Sequence, residues 1–146
     1  MSDDCIFCRI AERDAPAHWV FEDDRVFAIL NRAPVRPGAA MILPKTHYDR
    51  FVDLPDDLAA HIAVIGNRLA RRMLDVLVPP PLAIGHVVHG AMPHAHYHII
   101  PQHDWNDITS ARYARTARGE IVFDGALLDR PAEDEQRAIA NRLRLG

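Results

Sequence analysis

The order of apolar patterns in this chain predicts an α+β domain built on an antiparallel sheet. Three observations carry the prediction. Short strand signals joined by short connections lie on both sides of one long amphipathic helical pattern, a second helical pattern closes the chain, and 146 residues is the length of one ordinary domain.

Residues 5–12 read as a short helix or turn. Residues 18–22 and 25–30 carry Trp, Val, Phe and Ile around Asp23-Asp24, a hairpin signal. Val35-Arg36-Pro37-Gly38 reads as a turn, and residues 39–43 as a short apolar strand. From 55 to 78, Leu58, Ile62, Ile65, Leu69, Met73 and Val76 recur every three or four positions, which lays one apolar stripe along a helix. Pro55 belongs in its first turn with Asp53, Asp56 and Asp57 at the start, while Arg68, Arg71 and Arg72 lie toward the negative end of the dipole. Pro79-Pro80-Pro81 stops the helix. Residues 82–89 and 95–101 read as a strand pair, and 132–145 as a second helix. No pattern places residues 104–130.

A hydrophobic fraction of 49% with 25% charged residues is that of a globular protein and excludes a disordered chain. Seventeen basic against twenty acidic side chains leave a net charge of -3, so bulk attraction to nucleic acid or an anionic membrane is not expected. No apolar run approaches the roughly 18 residues of a membrane span. Met1-Ser2-Asp3-Asp4 is acidic and unlike a secretory signal, so a cytoplasmic protein is expected. None of the glycines forms a G-x-G-x-x-G or Walker loop.

The chemistry concentrates in histidines, six of whose nine copies fall between His86 and His103. In His94-Ala95-His96-Tyr97-His98-Ile99-Ile100 the alternation of a strand puts the three histidines on one face and Ala95, Tyr97 and Ile99 on the other, against the core. Three imidazoles on one face have little packing value. They suit either a metal, which takes neutral imidazole nitrogen, or a phosphate, with one histidine as nucleophile and its neighbours on the oxygens. Cys5 and Cys8 form the chain's one C-x-x-C, which admits a redox pair, two incidental buried thiols, or half of a metal site needing two more ligands. A redox pair of the thioredoxin kind follows a strand, and this one precedes every strand.

The His94–Ile100 motif resembles the defining H-φ-H-φ-H-φ-φ of the histidine triad (HIT) family of nucleotide hydrolases and transferases. Cys5-Ile6-Phe7-Cys8-Arg9-Ile10, Phe27-Ala28-Ile29-Leu30, Pro34-Val35-Arg36-Pro37-Gly38, Leu43-Pro44-Lys45-Thr46-His47 and Pro101 fall in the family's order, so the likeness covers roughly residues 5–103. The resemblance implies a single domain over 1–146, with 104–146 a C-terminal extension. It implies a five-stranded antiparallel sheet with one long and one or two shorter helices, paired in a homodimer. It further implies a purine nucleotide or nucleotide conjugate as partner, while the charge and the short apolar runs leave no nucleic acid and no membrane expected. His96 would attack the α-phosphate and form a nucleotidyl-histidine that water resolves, and His98 would contact the phosphate. Zinc-containing members hold a structural Zn2+ through the two cysteines and two histidines, which map to Cys5, Cys8, His47 and His94.

Three features depart from the family pattern. Asn31 stands where an acidic residue usually binds the ribose, and keeps one acceptor and one donor for it. Ala39 replaces a histidine, and Gly90-Ala91-Met92-Pro93 offers no polar group to the leaving group. His86 and His89 lie on opposite faces of one strand, and His89 is the nucleotide-binding candidate because His89-Gly90 occupies the place of a family Asn-Gly. His103 and Trp105 read as surface loop, and Arg112, Arg115 and Arg118 as a solvated row. Two other readings stand beside the enzyme: a metal-dependent hydrolase using the histidine strand as ligands, and a nucleotide-binding regulator with little turnover.

Overall fold

The computed structural model describes residues 4–88, 92–108, 113–128 and 130–146. Five antiparallel strands form the sheet: β1 (Trp19–Glu22), β2 (Val26–Leu30), β3 (Ala40–Pro44), β4 (Ala83–Val87) and β5 (Tyr97–Gln102), in the order β1-β2-β3-β5-β4. The helices are α1 (Ile6–Ala11), α2 (Asp56–Val76) and α3 (Glu133–Leu143). The five-stranded sheet, the long helix and the two short ones are those expected.

Every residue of β2 and β3 is buried, so the centre of the sheet is covered on both faces. Val26, Ala28, Leu30, Ala40, Ile42 and Ile99 pack with Leu58, Ile62, Ile65, Leu69 and Met73 of α2 and with Ile139, Ala140 and Leu143 of α3. The opposite face, with Phe27, Ile29, Met41 and Leu43, packs with Cys5, Phe7, Cys8 and Ile10 of the N-terminal turn. Alternation along β2 and β3 therefore delivers one helical layer on each side.

The α2 stripe is as read, with Pro55 standing at the N-cap outside the first turn. Gly66 lets the helix approach closely: a Cβ there would meet Tyr97 at 3.0 Å and Ile99 at 3.1 Å. The last turn of α2 contains no basic residue. Arg68 and Arg72 instead donate to the backbone oxygens of Gly146 and Arg142, which fastens the C-terminal segment to the helix.

Residues 104–130 contain a separate hairpin, β6 (Ala114–Ala117) and β7 (Glu120–Phe123). Arg118 and Gly119 join them with φ of 53° and 82°, both left-handed, as a two-residue primed turn requires. Among the described residues, no helix is long and apolar enough to cross a membrane.

Candidate functional site

The site forms where α1, the end of β3 and the segment entering β5 meet. Cys5 is the N-cap of α1 and Cys8 lies one turn on, so both thiols sit on the same side of the turn. His47 follows the end of β3, and the Ala95 amide donates to the Tyr48 carbonyl at 2.7 Å, which draws His94 alongside. The ligand atoms of Cys5, Cys8, His47 and His94 all lie within 4.8 Å of one another. His94 Nδ1 is 3.3 Å from Cys5 Sγ and 3.6 Å from Cys8 Sγ, and His47 Nδ1 is 3.2 Å from Cys8 Sγ. Tetrahedral ligands on zinc, at about 2.0–2.3 Å from the ion, stand about 3.3–3.8 Å apart. The four side chains therefore fit zinc with little rearrangement.

Both imidazoles are fixed in the tautomer a metal needs. His94 Nε2 faces the Pro44 carbonyl oxygen at 3.0 Å, which can only accept, so Nε2 donates the proton and Nδ1 keeps its lone pair. His47 Nε2 likewise faces Asp49 Oδ1 at 3.0 Å. Burial holds the His94 imidazole below its ordinary range, in the neutral form that ligates. Burial, together with the neighbouring Cys5, pushes the Cys8 thiol up to about 11, so a divalent cation is what would make it a thiolate at neutral pH.

The histidine row differs from a simple strand face. β5 begins at Tyr97, so His94 and His96 precede it in an irregular segment and only His98 is within the ladder. The departure from the strand brings the rings of His96 and His98 to 4.9 Å between centroids, nearly perpendicular, closer than the even spacing of a strand. His96 Nδ1 donates to the His94 carbonyl at 2.7 Å, leaving Nε2 with its lone pair. Phe7 lies against both His94 and His96, at 5.7 and 5.8 Å between centroids. Beside this group opens a cleft of about 270 Å³ lined by Phe51, Val52, Val88, Met92, Ala95 and His96, among others.

Register places the remaining candidates. Ile29 pairs with Met41 and Met41 with His98, so Asn31, two residues beyond Ile29, shares the face of His98. Its backbone is held on both sides, N–H to Ala39 and carbonyl to Gln136 Nε2, and its Oδ1 accepts from the Ala33 amide. His86 pairs with Ile99 and contacts the Tyr97 hydroxyl at 3.1 Å, on the face away from His98. His89, Gly90, Ala91 and Arg112 lie outside the described residues. Arg115 pairs with Asp124 and Trp105 is exposed, as read.

Three partners in and around the site escaped the sequence reading. Asp49 orients His47, and an acid two residues from a ligand was the only available signal. Gln136 reaches Asn31 from 105 residues away. Asp107, 1% exposed, accepts from Arg36 Nε at 2.8 Å and from the His103 and Asp104 amides. Burial alone would raise its carboxyl, but the Arg36 guanidinium and those two amides hold it below the usual range. Arg36 and Asp107 thereby clamp the β2–β3 loop to the loop after β5.

The HIT domain family model matches residues 12–105. The adenosine 5′-monophosphoramidase of Saccharomyces cerevisiae is 32% identical over 100 residues, 68% of this chain and 63% of that protein. An adenylylsulfatase of Arabidopsis thaliana is 30% identical over 110 residues, 70% of this chain and 54% of that one. The crystal structure of a zinc-bound histidine triad family protein from Mycobacterium smegmatis superposes with a TM-score of 0.72 at 26% identity, over 98% of this chain and 95% of its own. With the matched segment holding the sheet, the long helix and the histidine row, the chain belongs to the HIT domain family.

Proposed function

We propose that this chain is a hydrolase or nucleotidyl transferase acting at the α-phosphate of a purine nucleoside phosphate conjugate, of the phosphoramidate or dinucleoside polyphosphate class. The observation that carries the reading is the bond from His96 Nδ1 to the His94 carbonyl, which leaves Nε2 as a neutral nucleophile in the row. Nε2 attacks phosphorus, and the bond from phosphorus to the leaving oxygen or nitrogen breaks with its electron pair going to the leaving group, which takes up a proton from solvent that the hydrolytic water later returns. The ring becomes cationic, and its Nδ1–H stays on the His94 oxygen. Water then attacks phosphorus, releases the nucleotide and a proton, and returns His96 to its neutral form. His98 holds a non-bridging oxygen and Asn31 the ribose.

Cys5, Cys8, His47 and His94 hold the zinc in this reading. Held by these four side chains, a zinc ion would cross-link the N-terminal turn, the end of β3 and the segment entering β5. The whole chain acts as a single domain, with β6–β7 and α3 as its C-terminal extension, in a cytoplasmic homodimer. β4 is an outer strand with exposed Leu82 and Val88 beside it, and pairing with a second copy would cover such an edge. Phosphorus NMR of a panel of AMP and GMP conjugates tests the reaction class. Release of the 5′-monophosphate from at least one conjugate is expected, and AMP binding with no product from any would favour the regulator.

A further inference from the structure

A second cleft, of about 290 Å³, lies where the end of β2 meets the start of α3, and is lined by Pro16, Ala17, His18, Arg32, Arg130, Pro131, Glu133 and Gln136. It adjoins Asn31 directly: Arg32 is the next residue, and Gln136 at the cleft wall donates to the Asn31 carbonyl at 2.9 Å. Among the described residues, neither Arg32 nor Arg130 has a hydrogen-bond or ion-pair partner, and both are exposed at the rim of the cleft. The one carboxylate in the lining, Glu133, is engaged by His18 Nε2 at 3.1 Å. Gln136 is 4% exposed. Because its Nε2 must face the Asn31 oxygen, its Oε1 is the atom left over, buried without a hydrogen-bond partner.

We propose that this cleft receives a phosphate carried on the 2′ or 3′ oxygen of the bound ribose, so that the substrates are ribose-phosphorylated nucleotide conjugates. The inference rests on Asn31 being the ribose residue of the proposed function. A carboxylate beside a ribose accepts from its hydroxyls and repels a phosphate there, whereas a neutral side chain with arginine beside it admits one. Asn31 followed by Arg32 is the second arrangement. Two guanidiniums with no partner of their own supply planar donors that match phosphate oxygens. The ribose hydroxyl left unphosphorylated supplies a donor of the kind that Gln136 Oε1 lacks. Arg130 and Gln136 lie beyond residue 105, where the family match ends, so the preference would come from the C-terminal extension and not from the matched segment.

Calorimetric titration of the zinc-loaded protein with AMP, adenosine 2′,5′-bisphosphate and adenosine 3′,5′-bisphosphate tests the assignment. One bisphosphate is expected to bind at least about tenfold tighter than AMP, with the advantage shrinking as salt is raised. The double variant Arg32→Gln, Arg130→Gln should bring the ratio of the two affinities close to one. Asn31→Asp, which places a carboxylate at the ribose, should reverse the preference. Both bisphosphates binding no better than AMP would overturn this inference and leave the proposed reaction standing. Failure of all three nucleotides to bind would overturn the proposed reaction itself. An advantage that survives the double variant would place the added phosphate elsewhere and overturn the assignment to this cleft.

Discussion

The carbonyl oxygen of His94 accepts Nδ1–H of His96 at 2.7 Å, while the ring of the same residue sets its own Nδ1 at 3.3 Å from Cys5 Sγ. One residue thus belongs to two sites. Its side chain completes the cluster with Cys5, Cys8 and His47 that fits zinc, and its backbone fixes the tautomer of the next histidine in the row. The direction of His96 Nε2 therefore depends on how firmly His94 is held.

His96→Ala is expected to lower turnover by at least about a thousandfold, since a covalent route is lost outright. The ring lies beside a cleft, so the fold should persist. Steady-state kinetics together with circular dichroism check both halves, and near-normal rates would contradict the role.

Zinc should be present at about one ion per chain in protein expressed without added metal. Cys8→Ser should lower the melting temperature by about 10 °C or more, because a metal that joins three distant segments contributes several kcal/mol. Metal analysis and thermal scans measure this. Absence of metal, with both thiols titratable in the folded protein, would contradict it.

Asp49→Ala removes the acceptor that holds His47 Nε2 at 3.0 Å. Loss of such a partner typically weakens metal affinity by about ten- to a hundredfold. Competition with a chromophoric chelator reads the change, and His47→Ala in the same assay sets its upper limit.

Asp107→Ala should destabilise the domain by about 3–5 kcal/mol in urea, since it strands the Arg36 guanidinium and two loop amides at once. The Asp107 carboxyl is held low in the folded protein, so its unfolded form takes up protons first as pH falls. Its contribution is then complete above the unfolded carboxylate pKa of about 3.9 and is lost as pH falls through the lower folded value. Urea midpoints of wild type and variant should converge in that acid window and differ most at neutral pH.

Gly66→Val should cost about 1–3 kcal/mol, because a Cβ already meets Tyr97 and Ile99 at 3.0–3.1 Å and valine adds two further carbons. Those residues lie on the strand that carries His98, so the nucleotide affinity of the folded fraction should fall as well. Unchanged affinity and stability would show that α2 does not set the position of β5.

The main layers were legible because the sequence signals were strong. Buried β2 and β3 read as short apolar runs, and α2 repeats its apolar residues every three or four positions. What was misread depends on contacts that no local pattern encodes. His94 and His96 alternate like a strand, yet the bond from Ala95 to Tyr48 and the ring of His94 on Pro44 hold them out of the ladder. The β6–β7 hairpin turns on Arg118-Gly119 in place of the usual Asn-Gly, and Ile121 and Phe123 stay exposed, so no inward-facing alternation announces it. Cys5 and Cys8 read as half of a metal site on their own spacing, but His47 and His94 joined them only through resemblance, since 39 residues separate Cys8 from His47 and 86 separate it from His94. Asp107 and Gln136 carried no signal either, since Arg36 lies 71 residues from Asp107 and Asn31 lies 105 from Gln136.

The most direct test is to trap the reaction. The zinc-loaded protein is mixed with a slowly hydrolysed AMP conjugate, quenched in alkali, which preserves phosphohistidine, and digested for mass spectrometry of the peptide spanning residues 92–102. The account predicts one adenylyl group per chain on His96, absent from His96→Ala. An adduct on His98, or steady turnover with no adduct at any time, would contradict it.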